Sequence, residues 1–301
     1  MTRRWIVELI GEETFEALSR SLSGSELQSV LLEAFATRAG ARSPADVLAQ
    51  YMRDPFTDVS PVELRRALAL DLELFEAARD FAAIELSPVA PLGACSTVAP
   101  TDQRRVLSAL RSTELVADPT NVLALECARE LLIHRAGEAH LATSQRVIRA
   151  QAVPPVPGFS QHFRIFVLAS SALERKDHGF TIDALVRHAE TMLRALDRLE
   201  KRGYSFGARR IDILATEQRS AVGDKVAERL GALATRKPLD HEYYSGGVRY
   251  MLWATTPDGQ ELPIADGGSF DWVAKLASNR RAAYVASGLG AQLVAQRFRS
   301  M

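Results

Sequence analysis

Three groups of residues in this chain have types and spacings suited to chemistry. Asp118-Pro119-Thr120-Asn121 places a carboxylate and a hydroxyl at the head of a helix rich in Leu and Ala. A carboxylate there is a charge-assisted acceptor for an ammonium group, and the same four residues make a good helix N-cap. Arg149 stands near the end of one strand-like run, HLATSQRVIRAQ, and a second run, FSQHFRIFVLAS, follows after a Pro-rich loop. A guanidinium there can clamp a carboxylate or a phosphate, or simply sit exposed on a plain hairpin. Gly267-Gly268 and Gly288-Leu289-Gly290 allow close approach of backbone to a ligand, or of a helix to a sheet. Cys95 and Cys127 form no CxxC pair. They read as two small buried apolar residues rather than as a zinc site or a disulfide framework.

The elements that must position these residues follow from periodicity. To about Asp80 the chain reads as helices, broken at Ser23-Gly24-Ser25 and restarted at Ser43-Pro44. Residues 1–60 are expected to form a helical N-terminal extension and 61–301 a core domain. Pro61 to Asp80 predicts an amphipathic helix with Leu64, Leu68, Leu72 and Phe75 along one side. Ile84 to Leu86 is a short strand candidate. Ala139 to Gln151 and His162 to Ser170 predict two strands joined by the hairpin loop Val153 to Gly158. A long helix is expected over Thr181 to Arg202 and a strand over Arg210 to Leu214. Another hairpin, Tyr243 to Trp253 with Glu261 to Ile264, turns at Pro257-Asp258-Gly259, and Gly288 to Phe298 closes as a helix. Strands paired through hairpins, with helices set apart, imply an α+β fold: an antiparallel sheet flanked by helices, not a Rossmann alternation. The Arg149 and Phe163 strands are expected to be adjacent and central.

Lys+Arg and Asp+Glu each number 37 in 301 residues, and 47% of residues are hydrophobic. The chain can bury a large core, and zero net charge argues against a general nucleic-acid binder. The apolar run near the N-terminus is interrupted by Glu8, Glu12 and Glu13, so it reads as neither a signal peptide nor a membrane span. The cytoplasm is the expected location.

Four segments, in order, resemble the catalytic core of class II aminoacyl-tRNA synthetases. They are most similar to the histidyl type and to its relative, the regulatory subunit of ATP phosphoribosyltransferase. Pro61 to Pro88 resembles the helix, strand and proline that pack at the family's dimer interface, which implies a homodimer. LRSTELVADPTNVLALECARELL resembles the stretch that binds a substrate ammonium group, and puts Asp118 and Thr120 in that role. HLATSQRVIRAQ with FSQHFRIFVLAS resembles the two-stranded second motif. Arg149 would clamp the substrate carboxylate and the α-phosphate, and Phe163 would stack on adenine, with Gln151 standing where the family has Glu. RKPLDHEYYSGGVRY resembles the loop that carries a catalytic arginine and a tyrosine pair, with Lys237 in the arginine's place and Tyr243-Tyr244 near the tyrosines. IADGGSFDWVAKL resembles the glycine-rich strand that follows, with Gly267, Gly268 and Asp271 in place and Ser269 where an arginine stands. SGLGAQLVAQRF resembles the third motif, but the arginine that holds the ATP triphosphate is absent. Gln292 or Ala291 lies there, and Arg280, Arg281 and Arg297 are the basic residues that could replace it.

The resemblance implies ATP with Mg2+ as cofactors and a small amino-acid-like ligand. The chain ends directly after the third motif, so an anticodon-binding domain and tRNA charging are not expected. The acidic residue that helps hold the imidazole in histidyl enzymes aligns with Ala169. Two functions remain. The first is an amino-acid-activating, AMP-forming ligase with a non-tRNA acceptor, in which Asp118, Thr120, Arg149, Phe163, Lys237 and Tyr243 converge on one cleft. The second is a non-catalytic sensor or regulatory subunit that binds an amino acid or nucleotide and acts through a partner protein.

Overall fold

The computed structural model describes residues 3–134, 137–154 and 156–299. Its N-terminal part is helical: α1 (Arg3–Ile10), α2 (Glu12–Glu16), α3 (Gly24–Gly40) and α4 (Pro44–Tyr51). The breaks read from the sequence are caps. Ser23 and Ser43 each start a helix through a capping box, closed by Glu26 and Asp46, and Pro44 occupies the first turn. No described side chain before Val62 is buried.

Helix α5 (Leu64–Ala77) is amphipathic, but its buried face is Leu70, Asp71, Glu73, Leu74 and Ala77. Leu64, Leu68 and Leu72, expected to line the packed side, are 64%, 53% and 59% exposed. The helix carries apolar residues on two sides, so one stripe packs on the core and the other faces outward. Beyond it come β1 (Ala82–Ala83), β2 (Val89–Pro91), β3 (Ser108–Ala109), β4 (Thr113–Leu115) and α6 (Pro119–Arg129). The strand expected at Ile84 to Leu86 reduces to the two residues of β1, two positions earlier.

The large sheet is built from β5 (Glu138–Ile148), β6 (His162–Leu173), β7 (Arg209–Ala215), β8 (Ala234–Pro238), β9 (Val248–Thr255), β10 (Glu261–Phe270) and β11 (Ala282–Leu289). With β1 its order is β1-β5-β6-β11-β10-β9-β7-β8, and β2-β4-β3 form a small second sheet. All pairings in the large sheet are antiparallel except the two at its edges, β1 with β5 and β7 with β8. The hairpin of β5 and β6 sets Val147 opposite Phe163, so the two motif strands are adjacent. The centre of the sheet, however, belongs to β11 and β10.

Helix α7 (Gly179–Glu200) lies along one face of the sheet, with Leu185, Met192, Leu196 and Leu199 fully buried. Each such leucine contributes roughly 1.5–3 kcal/mol by leaving water. α5, α8 (Ser220–Leu230) and α10 (Ala291–Arg297) complete that layer against Phe166, Ile211, Tyr250 and Leu289. On the other face α6 and α9 (Trp272–Leu276) cover Val167, Ala169, Tyr284 and Ala286. They leave the neighbourhood of Asp266 and Gly267 open, and that gap is the cleft.

Candidate functional site

A cleft of about 660 Å3 opens over β10 and β11, lined by the head of α6, the end of β5, the loop through Arg105 and the loop 241–244. The buried carboxylate of Glu114 builds one wall. It accepts from the backbone N–H of Gly93 and Cys95, each at 2.8 Å, and from the Gln103 side chain at 2.7 Å. That fixes the loop that carries Thr101 and Arg105 into the cleft. The Arg105 carbonyl accepts from the Ala150 N–H at 2.8 Å, tying this wall to the end of β5.

Asp118 divides its two oxygens between structure and cleft. Oδ1 caps α6, accepting from Thr120 N at 3.0 Å and Thr120 Oγ1 at 2.7 Å. Oδ2 accepts from the Tyr243 hydroxyl at 3.2 Å and lies 3.8 Å from Arg149 Nη2. One oxygen thus caps the helix while the other faces Tyr243 and Arg149. Tyr284, buried in the sheet, donates to the Thr120 carbonyl at 2.6 Å and holds the head of α6 against β11. Arg149 is aimed by its own Nε, which donates to the Ala117 carbonyl at 2.9 Å.

Tyr243 packs edge-on against Phe270 and Trp272, with ring centroids 5.7 and 5.6 Å away. Burial, with the Asp118 charge beside it, holds its phenol far above the usual range, so the hydroxyl stays a donor to Asp118. Tyr244 donates to Asp266, whose Oδ2 also accepts from Arg249 Nη2 at 2.8 Å. The Arg249 guanidinium in turn lies 4.7 Å from the Tyr244 ring centroid. No described residue bonds Asp266 Oδ1, and Asp266 lines the cleft. Burial pushes the Cys95 thiol up to about 11, which makes it a poor nucleophile at neutral pH.

Of the residues read from the sequence, Asp118, Thr120, Arg149, Gln151, Tyr243, Tyr244 and Gly267 line this cleft. Phe163 stands behind it, its ring covered by the Arg149 guanidinium at 5.1 Å. Lys237 is elsewhere: it sits on the edge strand β8 with its ammonium 2.8 Å from Asp212, which Arg210 also pairs at 2.6 Å. The glycines serve packing more than ligand approach. A Cβ on Gly267 would lie 2.0 Å from Ser287 Oγ, and one on Gly268 would lie 2.4 Å from Tyr244 Cδ1. Missed from the sequence were Arg105, His241, Glu242 and Asp266, all on the cleft. Asp266 had a signal, a carboxylate inside an otherwise small and apolar strand. Among the described residues no cluster of three or more His, Cys, Asp or Glu could hold a metal ion.

This arrangement of sheet and helices has known counterparts. A protein from Bacillus halodurans C, described as an ATP phosphoribosyltransferase regulatory subunit/histidyl-tRNA synthetase, superposes with a TM-score of 0.62 at 15% identity, over 81% of this chain and 82% of that one. A histidine–tRNA ligase subunit from Alicyclobacillus acidocaldarius gives 0.57 at 12% identity, over 80% and 96%. Apo histidyl-tRNA synthetase of S. aureus gives 0.57 at 12% identity, over 80% and 68%. The fold is class II aminoacyl-tRNA synthetase-like. At these identities the likeness establishes the fold of the synthetase-like chain and nothing finer. No protein-family description matches the sequence, and no curated protein matches it. Among the described residues no helix is long and apolar enough to cross a membrane.

Proposed function

We propose that this chain is a synthetase paralog that binds a small free amino acid in the cleft and acts as a sensor or regulatory subunit through a protein partner. The observation that carries the reading is the pairing of Asp118 Oδ2 with Arg149 Nη2 at 3.8 Å. A carboxylate and a guanidinium side by side in one cleft are the complement of an α-amino acid zwitterion. The ammonium would sit on Asp118 and the Tyr243 oxygen, and the carboxylate on Arg149. Asp266, anchored by Arg249 and Tyr244, offers its second oxygen to a donor on the ligand's side chain.

The regulatory half of the proposal rests on the poor fit of ATP. Gln292, at the position of the third-motif arginine, is 3% exposed and donates to Ser160 Oγ at 2.7 Å. Arg297 is engaged by Asp258 at 3.4 Å and Gln260 at 2.8 Å, and Lys237 lies outside the cleft. Gln292, Arg297 and Lys237 thus offer no free cation to a triphosphate in the cleft. The Bacillus halodurans neighbour, described in part as a regulatory subunit, is the precedent for a partner protein. A homodimer fits the same picture. The exposed Leu64, Leu68 and Leu72 recur every four residues on α5, and a second copy would cover them.

The ATP-dependent ligase is the second reading, favoured by Arg149 and Gln151 lining one cleft beside Phe163. Calorimetric titration over a panel of amino acids, with amino-acid-dependent exchange of pyrophosphate into ATP, separates the two. The regulatory reading expects amino-acid binding without exchange. Exchange above background would replace it with the ligase, and no binding of any amino acid would end both.

A further inference from the structure

A second hollow, of about 180 Å3, lies under the N-terminal end of α7, lined by residues from the start of β9, the end of β10, the start of β11 and the head of α8. Its lining includes Arg219, Arg280, His178, Ser245 and Ser269. Neither arginine has a carboxylate partner among the described residues. Arg219 Nη1 donates instead to the ring of His178, 3.2 Å from Nδ1, and the Arg280 side chain has no hydrogen-bond or ion-pair partner among the described residues. Guanidinium binds most strongly when it meets an oxyanion, and two of them line this hollow without one.

Two carboxylates also line the hollow, and both are occupied. Glu174 caps α7, accepting from Phe180 N at 2.9 Å, from Thr181 N at 3.4 Å and from the Thr181 hydroxyl. Asp271 is paired with Lys275 at 2.8 Å and accepts from Ser245 Oγ at 2.7 Å. Lys275 offsets the charge of Asp271, and Arg219 with Arg280 outweighs the one carboxylate that is left, Glu174.

An independent observation points the same way. Ser269 is 5% exposed, lines the hollow, and its hydroxyl has no hydrogen-bond partner. A buried hydroxyl without a partner is uncommon. The backbone beside it is strained: Asp177 and His178 are consecutive non-glycine residues at φ 55° and 59°. Such residues cluster where a site over-determines its geometry, and here they turn the His178 ring onto Arg219.

We propose that this hollow is a second ligand site, separate from the amino-acid cleft, that takes a tetrahedral oxyanion: inorganic phosphate or the phosphoryl group of a small metabolite. Arg219 and Arg280 supply the charge and Ser269 a hydroxyl donor. The volume admits the phosphoryl group with a short organic tail.

The test is calorimetric titration of the intact chain with inorganic phosphate and with glycerol 3-phosphate, at ionic strength held constant with chloride. Single-site saturation is expected with at least one of them. Tighter binding of the ester identifies an organic phosphate ligand, and tighter binding of inorganic phosphate identifies the ion. Arg219→Gln and Arg280→Gln should each weaken binding at least about tenfold. Ser269→Ala should weaken it by a smaller factor, and Asp118→Asn should leave it unchanged, so failure of the amino-acid reading would not touch this result. Because Arg280 is exposed, its variant retains the fold. The rise in Tm that phosphate produces in the parent chain should vanish in that variant. Absence of saturation below roughly 10 mM for both probes, or unchanged affinity in both arginine variants, overturns the proposal.

Discussion

The guanidinium of Arg149 lies over the ring of Phe163, 5.1 Å from its centroid. Such a contact is worth about 0.5–2 kcal/mol, and it covers one face of the ring. A Phe163 that serves as a platform for the arginine has a distinct signature. Phe163→Ala should weaken amino-acid binding about two- to tenfold by loosening Arg149, and ATP should give no saturable heat with either chain. Saturable ATP binding that the substitution abolishes would restore the stacking role.

Asp118→Asn keeps an oxygen for the α6 cap and removes the charge that meets the ammonium. Amino-acid affinity should fall about tenfold to a hundredfold, with the denaturation midpoint nearly unchanged. Asp118→Ala should lose the same affinity and about 1 kcal/mol of stability besides. Calorimetry and urea denaturation measure the two effects separately, and equal affinity in Asp118→Asn would remove Asp118 from the site.

Gly267 is held without a side chain by its neighbour strand. A Cβ there would meet Ser287 Oγ at 2.0 Å and the Ala286 carbonyl at 2.8 Å. Gly267→Ala should therefore destabilise by about 1–3 kcal/mol. Adding Ser287→Ala should recover part of the loss, a coupling that a double-mutant cycle in urea reads directly. Strict additivity would show that the two positions do not meet.

His188, fully buried under α7, bonds Ser170 Oγ and Ser287 Oγ, each at 2.8 Å. Burial lowers its pKa from 6.5 to about 3. The folded chain therefore resists protonation there, while the unfolded chain takes up a proton below about pH 6.5. Stability is complete above that pH and falls as pH drops toward about 3, where the loss levels off. Between pH 6.5 and 5 the loss from this residue should be about 2 kcal/mol. Urea denaturation at both pH values should show that slope in the parent chain and a flatter one in His188→Gln.

Much of this was legible in the sequence because local signals agreed with the fold. The Pro-rich connection from Val153 does join two paired strands, and Pro257-Asp258-Gly259 does turn a hairpin. β11, with the sequence Ala-Ala-Tyr-Val-Ala-Ser-Gly-Leu, escaped notice as a full strand. It is covered on both faces, so it lacks the alternation that marks a half-buried strand. The small strand β8 is short and mostly exposed and so gives little alternation, whereas helix α8, with Val222, Val226 and Leu230 four residues apart, was passed over despite its helical spacing. Lys237 was placed by similarity of order along the chain. Order does not say that an edge strand points its lysine at Asp212, because that partner lies 25 residues away. Asp118 was read as either a cap or a ligand for ammonium: the structure shows the cap at Oδ1, and Oδ2 meets Tyr243 and Arg149.

Residues 4–51 contain no buried side chain, and the helices there are held mainly by their own backbone ladders and caps. Amides in α1 to α4 should then exchange with solvent deuterium through local openings, at free energies well below those of α7 and the central strands. Melting this segment uncovers little apolar surface, so it adds little to the denaturant dependence or heat capacity of unfolding. The cooperative unit of this chain is then expected to begin near Val62, with the helices before it a labile appendage that a covering partner would protect.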